Sequence, residues 1–152
     1  MNQILKSLQF NYKNDEVYNL FEHDILLWCG DLNYRIAADD FHEVVDKVKN
    51  NKLGELRELD QLLQEKQAGN VFSELEEAKL KFPPTYKYKV GTNDYEFKSG
   101  KVRIPAWCDR ILFRGENLQQ MFYTSISSPT LSDHKPVASL FKIKYKMIDP
   151  HQ

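Results

Sequence analysis

Residues 25–36 read ILLWCGDLNYRI, and no other stretch restricts the fold as tightly. Ile25, Leu26, Leu27 and Trp28 run without a polar break towards Gly30, Asp31 and Asn33. An apolar run of this length that stops at glycine predicts a buried strand over 25–29. Its interior is committed to packing and its carboxyl end to polar groups, which is where open α/β sheets place ligands. The remaining chain must supply whatever meets Asp31 and Asn33.

A chain of 152 residues accommodates one domain or a piece of a larger one. With 41% hydrophobic and 28% charged residues it reads as globular, not disordered. The 21 basic and 22 acidic residues nearly cancel, which argues against attachment to nucleic acid by bulk charge but not against a local basic pocket. Cys29 and Cys108 each follow a tryptophan and lack metal-ligand spacing, so two buried free thiols and a reducing compartment are expected. No apolar stretch approaches the ~18 residues that span a bilayer. Residues 1–10 carry no signal-peptide pattern. The expectation is a cytoplasmic protein.

Ile4, Leu5 and Leu8 predict a short amphipathic helix over 2–9, and 11–24 reads as loop. Phe41, Val44, Val45 and Val48 repeat at helical spacing, with Asp39 or Asp40 as the cap and Asn50 and Asn51 as the stop. Leu53, Leu56, Leu59, Leu62 and Leu63 predict one further helical run ending near Gly69. Pro83 and Pro84 forbid helix, and TYKYKV alternates as a strand does. A polar turn fills 91–100. Strands are then expected over AWCDRILF, over 119–127 and over 137–145, with a loop at 129–136.

Four groups could carry chemistry. Asp31 and Asn33 lie two apart, so in extended backbone they point the same way. A carboxylate can polarise water or hold a cation, and an amide can donate to an oxyanion. The alternative is a tight turn in which both bond to local backbone. Asp133 and His134 lie in a loop between Pro129 and Pro136, and histidine beside a carboxylate suits proton transfer. Asp109 falls on the apolar side of its strand with Trp107, Ile111 and Phe113, and so needs a partner. We expect it to orient His134, with Arg110 or Arg35 as the alternative. Tyr86, Lys87, Lys101 and Arg103 suggest phosphate recognition, against the blander alternative of a solvated basic surface.

Together LWCGDLNYRI, PTYKY, KVRIPAWCDRIL and SDHKPV resemble the inositol polyphosphate 5-phosphatases, in that family's order and approximate spacing. The likeness is to the type II branch, whose members act on membrane phosphoinositides. It implies an α/β fold of the deoxyribonuclease I-like kind, a two-sheet sandwich with outer helices. It implies Mg²⁺-dependent removal of the 5-phosphate from phosphoinositides such as phosphatidylinositol 4,5-bisphosphate, at a peripheral membrane surface. By the resemblance, Asp31 activates the attacking water, and Asn33 and His134 contact the scissile phosphate. Asp109 holds His134, Asp133 lies near the metal, and Tyr86, Lys87, Lys101 and Arg103 grip the 4-phosphate.

The sequence departs from that pattern at Cys29, where leucine is common, at Ala78, where glycine is usual, and at Lys89, where aspartate often follows TYKY. The resemblance also implies that residues 1–152 match only the carboxyl-terminal part of the catalytic domain. The asparagine and glutamate that hold most of the Mg²⁺ shell in the family then have no counterpart. Such a part exposes an apolar sheet face and unpaired strand edges. Two other readings follow: a non-catalytic phosphoinositide-binding fragment, and a nuclease or sphingomyelinase of the same fold. The near-neutral charge speaks against the nuclease. Protein partners are expected only outside this chain.

Overall fold

The computed structural model describes residues 8–11 and 16–146. Its strands are β1 (Gln9–Asn11), β2 (Val17–Asn19), β3 (Leu26–Asp31), β4 (Asp109–Arg114), β5 (Leu118–Ser125) and β6 (Val137–Ile143). Its helices are α1 (Phe41–Lys49), α2 (Leu53–Glu58) and α3 (Gln61–Gln67). The strands pair antiparallel as β1–β2, β3–β4 and β5–β6.

The β3–β4 ladder is the centre of the site. Its register runs from Leu26 opposite Arg114 to Asp31 opposite Asp109. Alternation divides β3 between two environments. Leu26 and Trp28 turn towards Leu62 of α3, Phe72, Leu75 and Leu112. Leu27, Cys29 and Asp31 share the other face with Phe113, Ile111 and Asp109. The β5–β6 pair packs against β4: the Phe113 and Phe141 rings meet at 5.3 Å, and the Ile111 amide donates to Tyr123 Oη at 3.1 Å. That covers Phe113 but leaves Leu27 53% exposed. A second core joins Val44 of α1 and Leu53 and Leu56 of α2 to Leu80, Phe82, Ala106, Trp107 and Cys108.

The helices form as their caps dictate. The Asp40 carboxylate accepts from the His42 and Glu43 amides at 2.7 and 3.1 Å, closing the first turn of α1. The leucine run expected as one helix is two. It breaks at Asp60, whose carboxylate accepts from the Leu63 amide at 2.9 Å and caps α3. Asp60 is fully buried because Arg110 donates to both its oxygens, at 3.0 and 2.9 Å. Arg110 also donates to both Glu77 oxygens at 2.8 Å, and Tyr123 donates to Glu77 at 3.0 Å. One buried guanidinium thereby ties α3, the 76–78 segment, β4 and β5 together.

Several expectations change. Residues 2–7 of the amino-terminal helix lie outside the described residues, and Gln9, its last residue, belongs to β1 instead. The 11–24 loop contains β2 and a 3₁₀ turn at Leu20–Glu22. TYKYKV forms only isolated bridges, Tyr86 with Ala106 and His134, and Tyr88 with Tyr95. The AWCDRILF ladder begins at Asp109, because Trp107 is instead enclosed by the helical core and donates Nε1 to the Phe82 carbonyl at 2.9 Å. Cys29 is exposed, since it lies on the uncovered half of β3, whereas Cys108 is buried. No helix among the described residues is long and apolar enough to cross a membrane.

Candidate active site

Asp31 and Asp109 end and begin adjacent strands, and the register sets them directly opposite. Like charges so placed repel unless other groups intervene. Around Asp109 they do. The Thr85 hydroxyl donates to Asp109 Oδ2 at 2.6 Å, and His134 Nδ1 lies 3.0 Å from Oδ2 and 3.2 Å from Oδ1. The carboxylate fixes the histidine tautomer: an Nδ1–H donated to Asp109 leaves Nε2 for a ligand. Asp109 thus meets His134. Neither Arg35 nor Arg110, the alternatives, bonds to it; Arg110 is committed to Asp60 and Glu77.

Asp31 and Asn33 do not share an extended strand. Asp31 is the last residue of β3, and its Oδ1 accepts from the Asn33 amide at 2.9 Å. Asn33 takes φ 58°, a left-handed conformation that asparagine tolerates. The local turn, the alternative to a shared extended face, is what forms. The Arg35 guanidinium donates to Asn33 Oδ1. With its oxygen engaged, the Asn33 amide keeps its NH₂ as donor. Arg35 also lies over the Tyr86 ring, 4.7 Å from its centroid, and Tyr86 stands 4.6 Å from the His134 ring. Arg35, Tyr86 and His134 form one stack that joins the β3 end to the 132–135 loop.

The other expected residues are arranged less tightly. Lys87 pairs with Glu96 at 2.7 Å and faces Asp133 at 3.8 Å. The Glu96 hydrogen bond holds the Lys87 ammonium above its ordinary pKa. Lys101 and Arg103 are exposed. Among the described residues neither is hydrogen-bonded or ion-paired to the stack. Lys135 is buried, donating to the carbonyls of Thr92, Ser127 and Pro129 at 3.1 to 3.3 Å, and it anchors the loop that carries His134.

The donors present do not make a complete magnesium site. Among the described residues no group of three or more His, Cys, Asp or Glu side chains is placed to hold a metal ion. Asp31 commits one oxygen to the Asn33 amide, Asp109 serves Thr85 and His134, and Asp133 faces Lys87. Sequence reasoning missed Thr85 and named Arg35 only as an alternative partner for Asp109. Arg35 stands two residues beyond Asn33 in DLNYRI, which is a usable signal. Thr85 looks like a turn residue after two prolines, and nothing in the sequence marks its hydroxyl as buried.

The family described as Endonuclease/Exonuclease/phosphatase family 2 matches residues 1–140. The type I inositol polyphosphate 5-phosphatase 8 of Arabidopsis thaliana is 40% identical over 93% of this chain and 30% of its own length. The type II inositol 1,4,5-trisphosphate 5-phosphatase of Mus musculus is 42% identical over 84% of this chain and 13% of its own. The chain belongs to the inositol polyphosphate 5-phosphatase family. Type I and type II members match it at nearly equal identity.

A crystal structure of the inositol polyphosphate 5-phosphatase domain of SPsynaptojanin, in complex with inositol (1,4)-bisphosphate and calcium ion, superimposes with a TM-score of 0.79 at 39% identity. The match covers 93% of this chain and 41% of that domain chain. The fold is therefore the deoxyribonuclease I-like sandwich, and the chain spans less than half the length of each of these relatives.

Proposed function

We propose that this chain is the carboxyl-terminal part of a Mg²⁺-dependent phosphomonoester hydrolase that removes the 5-phosphate of phosphoinositides such as phosphatidylinositol 4,5-bisphosphate. The observation that carries the reading is the convergence at one sheet end of Asp31, the Asn33 turn and the Asp109–His134 pair. Mg²⁺ would supply charge neutralisation when bound.

The chain's own groups divide the work. Asp31 draws a proton from the attacking water. The Asn33 NH₂ and the His134 imidazolium, through Nε2–H, donate to oxygens of the phosphate, where charge develops. Tyr86, Lys87, Lys101 and Arg103 hold the neighbouring 4-phosphate, and the Lys87 ammonium exchanges its Glu96 partner for the ligand. Asp133 would help to hold the ion. A substrate of this kind sets the protein in the cytoplasm, peripheral to membranes.

A second reading is a non-catalytic phosphoinositide-binding fragment, favoured by the missing cluster of metal donors among the described residues. Phosphate release from vesicles containing phosphatidylinositol 4,5-bisphosphate separates the two. It is measured with Mg²⁺ for this chain alone and with the rest of a 5-phosphatase domain supplied as a second polypeptide. The enzyme reading predicts release in the complemented sample that Asp31→Asn abolishes. Headgroup binding without release in either sample would establish the fragment reading instead.

A further inference from the structure

From Thr85 and its neighbours we infer that the Thr85 hydroxyl is a positioning group for His134, acting through Asp109. The inference deepens the proposed function, because it concerns the histidine read there as a phosphate donor. Thr85 is fully buried, yet its hydroxyl is spent on Asp109 Oδ2 at 2.6 Å, the oxygen that also lies 3.0 Å from His134 Nδ1. The Asp109 amide returns a long contact to Thr85 Oγ1 at 3.4 Å. The Thr85 carbonyl accepts from the Lys135 amide at 2.8 Å, so the same residue pins the chain immediately after His134. Its successor Tyr86 lies against the His134 ring, 4.6 Å between centroids and tilted by 39°.

One threonine thus grips the carboxylate, the loop and, through its neighbour, the face of the imidazole. The consequence is orientational. A carboxylate can rotate about its Cβ–Cγ bond, and only a second donor holds it in the plane that the His134 Nδ1–H requires. Thr85 supplies that donor. Without it Asp109 is free to turn, and the neutral ring divides between Nδ1–H and Nε2–H forms. In the second form Nε2 carries the proton in both charge states of the ring and no longer alternates between donor and acceptor.

The test reads the tautomer directly. In ¹⁵N-histidine-labelled protein, the neutral His134 ring is expected as Nδ1–H alone. Thr85→Val, which keeps shape and removes the hydroxyl, should give a mixture with Nε2–H, and Thr85→Ser should restore the wild-type pattern. In the complemented enzyme Thr85→Val should lower kcat about tenfold or more with KM little changed. A folded Thr85→Val that retains pure Nδ1–H would overturn the inference, as would a Thr85→Ser that loses it. Should Thr85→Val not fold, the wild-type protein still decides. Its Thr85 hydroxyl proton is expected downfield and slow to exchange, and a hydroxyl in fast exchange would sink the proposal. Absence of phosphate release from every variant counts against the hydrolase reading, whereas the tautomer judges Thr85 by itself.

Discussion

Asp31 and Asp109 stand opposite each other across one ladder position, and the two are held differently. Asp109 is quenched by a buried hydroxyl and a histidine, and Asp31 is left with one amide. Asp31 keeps an oxygen for water, whereas Asp109 is occupied by Thr85 and His134. Asp109→Asn should therefore lower kcat through the wrong His134 tautomer, while Asp31→Asn should abolish turnover outright; single-turnover kinetics distinguish the two. The double variant Lys101→Ala with Arg103→Ala should weaken binding to 4-phosphate headgroups far more than to headgroups lacking it, by calorimetry. Equal losses would refute the 4-phosphate role.

The two thiols differ as sharply. Burial pushes the Cys108 pKa up to about 12, against the opposing pull of Arg35. At pH 8 only about one part in 10⁴ of such a thiol is thiolate, the reactive form. Cys29 is exposed. Alkylation of native protein should modify Cys29 and spare Cys108, whereas both should react in denaturant.

At the scale of elements, what holds β4 in register is buried charge. Arg110 joins Asp60 at the α3 cap to Glu77, with both partners deeply buried. Burial drives the Asp60 carboxyl upward and Arg110 opposes it. Removing the guanidinium strands two carboxylates, which typically costs about 3–5 kcal/mol. Arg110→Met should lower the urea midpoint accordingly and loosen Asp109, its neighbour in β4. Asp40→Ala should cost only about 1 kcal/mol, since it removes one cap from a helix otherwise held by Val44 and Phe41.

Helix α1 was legible because its apolar spacing, its cap and its asparagine stop agree. The leucine run was legible as helix but not as two helices. Its break depends on Arg110, fifty residues away, and no local pattern records that pairing. The same limit applies at the site. Asp31, Asn33, Asp109 and His134 are conspicuous as residue types beside strand ends. Thr85 gains its role only from long-range packing, and Arg35 couples its local bond with Asn33 to a distant contact with Tyr86. TYKYKV alternates, yet it finds no continuous partner strand and contributes bridges only.

At the scale of the whole molecule, the β3–β4 sheet is half covered. Its outer face packs on α3 and the 71–75 segment, and β5–β6 covers β4. Leu27, Phe122 and Leu140 are 53%, 57% and 63% exposed, more large apolar surface than a closed sandwich leaves open. The solved 5-phosphatase domain extends well beyond the part that this chain matches. Supplying that remainder should bury Leu27 and protect Cys29 from alkylation.

The most direct measurement is the position of the bond that breaks. Inositol 1,4,5-trisphosphate is incubated with Mg²⁺, this chain and the remainder of the domain, and followed by ³¹P NMR. The expected result is loss of the 5-phosphate signal, retention of the 1- and 4-phosphate signals, and no change with Asp31→Asn. Loss of the 4-phosphate first, or release that survives Asp31→Asn, would contradict it.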